Sequence, residues 1–208
     1  MRPTAILCLC ALALAGAPRP ASACENIVVR EVDPAVKSIR RAEALLARGD
    51  LKAAAREVLA TFPDALRTGP HERKQALLRR GQRIVALALV RSGGAVRLGH
   101  DLPGKTAEQR AAGLAWAAGL LRLHYARTGD VAVQAELAEA LAAVPTERAE
   151  AHAILRELGD GDLLPTARAW ALLAALERDR GDATAAARAD RRCREIDPAG
   201  DDCRAPTA

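Results

Sequence analysis

Residues 168–198 read RAWALLAALERDRGDATAAARADRRCREIDP, two alanine-rich segments separated by Arg180, Gly181 and Asp182. Each of the three has a physical role at a helix boundary. An arginine favours the negative end of the preceding helix, a glycine takes the left-handed conformation that stops it, and an aspartate side chain caps the first amides of the next. The same turn recurs as ARGDLKAAA at 47–55, with Arg48, Gly49 and Asp50, and as ARTGDVAVQA at 126–135, with Arg127, Gly129 and Asp130. The chain is therefore expected to be built from antiparallel helical hairpins.

Periodicity extends this reading in both directions. Leu51, Ala54, Ala55, Val58, Leu59 and Phe62 follow one helix face, as do Ala151, Ile154, Leu155 and Leu158. No stretch alternates with period two, and IVALALV at 84–90 has too few β-branched residues for a strand, so it reads as a buried helix. Helices are expected near 34–48, 51–61, 71–92, 106–127, 131–143, 147–158, 165–180 and 183–195, joined by short links that make neighbours antiparallel. The fold class is all-α.

The best hairpin resembles a tetratricopeptide repeat, a 34-residue unit with the pattern W-x-x-L-G-x-x-Y, then A-x-x-x-F, then P. Trp170, Leu173, Ala174, Gly181, Ala186 and Pro198 fall on that register, with Glu177 and Asp190 in place of the aromatics and Cys193 at the following small position. Leu121, Tyr125, Gly129 and Asp130 fit a second copy, and Ala42, Leu45, Gly49, Asp50 and Ala54 a first. The resemblance implies hairpins stacked as an α-α superhelix over 35–198; a plain helical bundle uses the same turn chemistry and remains the alternative. It also implies that the first helix of each hairpin lines a groove, which places Arg168, Ala171, Ala175, Arg178 and Asp179 on it. Spaced by three, four and three, positions 168 to 178 form a stripe beside the Trp170–Leu173 core stripe, suited to an acidic or C-terminal peptide. As exposed charges, Arg168 and Arg178 are expected to be replaceable by glutamate without loss of stability.

At the other end, MRPTAILCLCALALAGAPRPASA at 1–23 has an arginine, an apolar run and a small-residue cut site, the pattern of a signal peptide. Export to the periplasm or cell envelope is expected, followed by an N-terminal segment at 24–34. Cys24 follows the cut, so it is either the first residue of an ordinary mature chain or a lipid acceptor, the one route to a membrane. Cys8 and Cys10 leave with the signal. In an oxidising compartment Cys193 and Cys203 would then pair across REIDPAGDD and tether the tail at 199–208, a bond worth roughly 2–3 kcal/mol.

The net charge of +5 falls to +3 without Arg2 and Arg19. That value, with dispersed arginines and four aromatics in 208 residues, argues against nucleic acid as partner. GHDLPGKT, Gly99 to Thr106, matches the phosphate-loop pattern, but no apolar strand precedes it, and Thr106 and Gln109 read equally as a helix capping box. HERKQ at 71–75 puts Gln75 where a zinc protease needs its second histidine. His100, His124 and His152 are scattered, Ser38 and Ser92 lack nucleophile-elbow glycines, and GDGD at 159–162 reads as a turn. No catalytic residue, metal or cofactor is therefore expected. The function expected is a non-enzymatic adaptor presenting a helical groove to a protein or peptide in the envelope; the alternative is a nucleotide-dependent protein or hydrolase built on Gly99–Thr106.

Overall fold

The computed structural model describes residues 33–67, 75–96, 106–200 and 202–203. Among them run α1 (Pro34–Ala47), α2 (Leu51–Thr61), α3 (Gln75–Arg91), α4 (Ala107–Thr128), α5 (Val131–Ala142), α6 (Arg148–Asp160), α7 (Ala167–Asp179) and α8 (Ala183–Ile196), with 3-10 turns at Pro63–Leu66 and Pro145–Glu147 and no strand. The all-α reading holds, and the helices begin and end within a few residues of the periodicity boundaries.

Local chemistry explains those boundaries. Gly49, Gly129 and Gly181 have φ of +81°, +61° and +82°, the left-handed region open to glycine. Asp130 accepts from the Ala132 amide and Asp182 from the Ala185 amide, both at 2.8 Å. Asp50 departs from the pattern: it makes no side-chain cap, and its carboxylate lies 3.8 Å from the Arg48 guanidinium. The arginine before the glycine competes there with the amides for the same oxygen. Asp182→Ala is therefore expected to cost about 1 kcal/mol and Asp50→Ala under about 0.5 kcal/mol in urea unfolding; equal losses would contradict this difference.

The helices pair as α1–α2, α3–α4, α5–α6 and α7–α8, and each hairpin rests on the next through α2–α3, α4–α5 and α6–α7. The odd-numbered helices also touch in series, α1 on α3, α3 on α5 and α5 on α7, so they form one continuous row. Small residues make this close packing possible. Ala42, Ala54, Ala117, Ala138, Ala151 and Ala174 are fully buried. At Gly81 in α3 a Cβ would come within 2.9 Å of Val58 Cγ1 and 3.3 Å of Ile39 Cδ1, so a larger residue there would require those side chains of the first hairpin to shift. Ile84 to Val90 are all buried, as their lack of polar residues requires, and form most of the second half of α3.

The last hairpin differs from a simple amphipathic pair. Trp170, Leu173 and Ala174 are buried as expected, but so are Ala169, Ala171, Leu172, Leu176 and Glu177. A helix buried on nearly all sides has neighbours on nearly all sides; α7 is packed against α5, α6 and α8 together. No described helix is long and apolar enough to cross a membrane.

Candidate functional site

The expected groove stripe is the first arrangement to correct. Ala171 is 2% exposed, shut in by the neighbours of α7, so it offers no surface for a ligand. Ala175 is partly buried and Arg178 and Asp179 are exposed. Each charged member already has a carboxylate or guanidinium of this chain. Arg168 Nε donates to Glu139 Oε1 at 2.6 Å, Arg178 Nη2 donates to Asp190 Oδ1 at 2.7 Å, and Asp179 pairs with Arg148. The five residues therefore do not form an open cationic stripe, and the argument from free arginines to an acidic peptide loses its footing.

Along the row of odd helices runs instead a ladder of arginine–glutamate pairs. Arg80 of α3 holds Glu43 of α1 through one guanidinium edge, Nε donating to Oε1 and Nη2 to Oε2, the latter at 2.6 Å. Arg83 of α3 holds Glu136 of α5 at 2.7 and 2.8 Å. Arg91 of α3 holds Glu139 of α5 at 3.0 and 3.1 Å, and Arg168 of α7 completes a triad on the same carboxylate. Glu136 and Glu139 are one helical turn apart, so one face of α5 grips both neighbours. Two-pronged pairs of this kind fix orientation as well as distance. Burial would raise the Glu139 carboxyl, but Arg91 and Arg168 outweigh it and hold it below its usual range. The bond to Glu136 raises Arg83 against the opposing effect of burial.

Two histidines bridge helices in the interior. His124 of α4, 3% exposed, lies 3.1 Å from Gln82 Oε1 of α3, while Gln82 Nε2 donates to the Arg67 carbonyl at 3.0 Å. Burial first, then Arg83, Arg127 and Arg79, push the His124 imidazole down to about 4, so at neutral pH it is uncharged and donates its Nε2 proton to the amide. His152 of α6 places Nε2 3.0 Å from Glu177 Oε1 of α7, but the ring nitrogen makes no hydrogen bond: the separation is short and the alignment poor. Glu177 stands where the tetratricopeptide pattern carries an aromatic.

Beside that pair, α6, α7 and α8 leave a cleft of about 300 Å³ lined by Gly159, Trp170, Leu173, Glu177, Arg188 and Arg192, among others. Arg192 lies over the Trp170 ring at 5.7 Å and is held by Asp162 and Glu195. The Trp170 indole N–H is buried with no acceptor among the described residues.

Cys193 and Cys203 are joined, with Cα atoms 5.7 Å apart. Cys193 is fully buried on the Ala167 end of α7, so the bond ties the segment after α8 to the last hairpin. Thr106 and Gln109 form the expected capping box, each accepting from the other's backbone amide at 3.2 Å. Residues 1–32, Cys24 among them, His71, His100 and the rest of the Gly99–Thr106 segment lie outside the described residues. Among the described residues no cluster of metal-ligating side chains occurs.

Comparison with protein-family models, with curated proteins and with solved structures finds no match to this chain.

Sequence reasoning missed the ladder and the cleft. Arg83 and Glu136 are 53 residues apart and Arg91 and Glu139 are 48 apart, and in a chain with 31 basic and 26 acidic residues no local pattern selects those partners. The usable signal was Glu177, an acid at an interior register position.

Proposed function

We propose that this chain is an exported, non-enzymatic interaction module of the tetratricopeptide type, holding a peptide or protein partner in the cell envelope. The observation that carries the reading is the packing order: each helix rests on the next, and each odd helix also rests on the following odd helix. Antiparallel hairpins in series, two of them (α1–α2 and α7–α8) closed by Gly-Asp turns and a third such turn linking α4 to α5, stack in this way and present an extended surface rather than one enclosed site. The arginine–glutamate ladder supports the reading further, because it ties successive odd helices together through paired charges. Export rests on the leader-like residues 1–23, and lipidation of Cys24 is the route by which the module would be held at a membrane.

The opposed reading is nucleotide binding at Gly99–Thr106. The phosphate-loop pattern assigns the Thr106 hydroxyl to a magnesium ion, whereas here that oxygen accepts from Gln109. Three measurements on cells expressing the tagged protein test the proposal. Fractionation should find it in the envelope with its N-terminus at Cys24, affinity capture from envelope extract should retain a stoichiometric partner, and ATP should give no saturable heat. Cytoplasmic protein with an intact leader, or ATP binding abolished by Lys105→Ala, would overturn it.

A further inference from the structure

We infer that the cleft between α6, α7 and α8 binds the free amino end of a peptide or amino acid whose first side chain is apolar. The inference rests on the reading of the protein as a peptide-binding module and names the part of the ligand it grips.

Charge accounting inside the cleft selects the ligand. Arg192 is engaged by Asp162 and Glu195, and Arg156 stands 3.9 Å from Asp160. Two lining groups of opposite sign are then left. Glu177 is 3% exposed, and the one group beside its carboxylate is His152, whose Nε2 lies 3.0 Å from Oε1 without making an aligned hydrogen bond. Arg188 is exposed and makes no ion pair or hydrogen bond among the described residues. A buried carboxylate without donors is costly, and each donor brought to it is worth more than a neutral hydrogen bond. An α-ammonium carries three such donors next to a carbonyl or carboxylate oxygen, so one small group answers Glu177 and Arg188 together. An anion would answer Arg188 alone and meet Glu177 as a like charge.

The walls select an apolar side chain. Trp170 and Leu173 form one side, and Arg192 across the indole face holds that ring in place. The cleft floor is shaped to a tight tolerance: at Gly159 a Cβ would lie 2.8 Å from Leu173 Cδ2 and 3.4 Å from Trp170 Cζ3. A volume of about 300 Å³ is at the low end for small-molecule sites, which suits one residue rather than a folded segment.

The test titrates the oxidised protein with the tripeptide Leu-Ala-Ala, with N-acetyl-Leu-Ala-Ala and with free leucine, following the Trp170 indole N–H resonance, assigned with Trp170→Phe. Leu-Ala-Ala should shift the resonance saturably, and acetylation, which removes the ammonium without altering the protein, should weaken binding about tenfold or more. Glu177→Gln should weaken it by a similar factor, and Arg188→Ala, on the surface, by about threefold to tenfold with unchanged circular dichroism. A response to the tripeptide alone identifies the ligand as a peptide, and an equal response to leucine identifies it as a free amino acid; both support the site. Absence of a saturable shift, or equal binding of the acetylated peptide, overturns it. Partner capture that survives in Arg188→Ala alongside that failure would remove the cleft and leave the interaction module standing.

Discussion

Glu139→Ala is expected to lower the unfolding free energy by about 3–4 kcal/mol, the range for breaking a buried charge pair. The Glu139 side chain is 13% exposed and receives three hydrogen bonds, two from Arg91 and one from Arg168. Its loss leaves two guanidiniums side by side at 21% and 28% exposure, with no carboxylate between them. Some solvent reaches both, which keeps the cost in the lower part of that range. The triple variant Arg91→Met, Glu139→Leu, Arg168→Met should recover most of the loss, since a largely buried triad is replaceable by apolar groups of similar size. Urea unfolding with an unchanged m value measures both; a loss below about 1 kcal/mol for Glu139→Ala would show that the triad does not hold α3, α5 and α7 together. The same geometry reverses an expectation drawn from sequence. Arg168→Glu would set a second carboxylate against Glu139 and destabilise the fold, whereas Arg178→Glu, facing Asp190 at the surface, should cost about 1 kcal/mol or less.

Acidification should unfold the protein in two separable stages, the first set by His124. Its imidazole falls from 6.5 to about 4 on folding, so between those values the unfolded chain binds the proton and the folded chain does not. Stability is therefore complete above pH 6.5 and falls as the pH drops to about 4, by about 3 kcal/mol if the whole shift is realised. The cause is burial beside Arg83, Arg127 and Arg79, where a charged ring would lie among cations without solvent. His124→Gln retains a donor for Gln82 but does not titrate, and should flatten the unfolding free energy between pH 6.5 and 4. The second stage belongs to Glu139, whose carboxyl is held below 4.5 in the folded state. Its contribution is present above 4.5 and disappears as the pH falls through the lowered folded value. An unchanged slope between pH 6.5 and 4 in His124→Gln would assign the first stage to another group.

The readable parts of this molecule were those whose cause is local. The turn at Gly181 needs only its own backbone freedom and the residues beside it, and the stripe from Leu51 to Phe62 needs only a period near 3.6. Both are present within a dozen residues, and both stand where the pattern placed them. The capping box at Thr106 is local in the same sense. The groove stripe on α7 failed because a spacing of three and four places residues on one face without saying what covers it. Ala171 satisfies the spacing and is buried.

By itself, the amino-acid sequence determined the helices, their ends, the antiparallel hairpins and the pairing of Cys193 with Cys203, since short-range sterics, capping and chain reach decide those. Only the tertiary structure decided which charges meet, that α7 is enclosed by α5, α6 and α8, and that Glu177 and Arg188 share a cleft. Those outcomes depend on which helix faces come together across dozens of residues, and long-range packing selects among many arginine–carboxylate pairings that are equivalent until the helices dock.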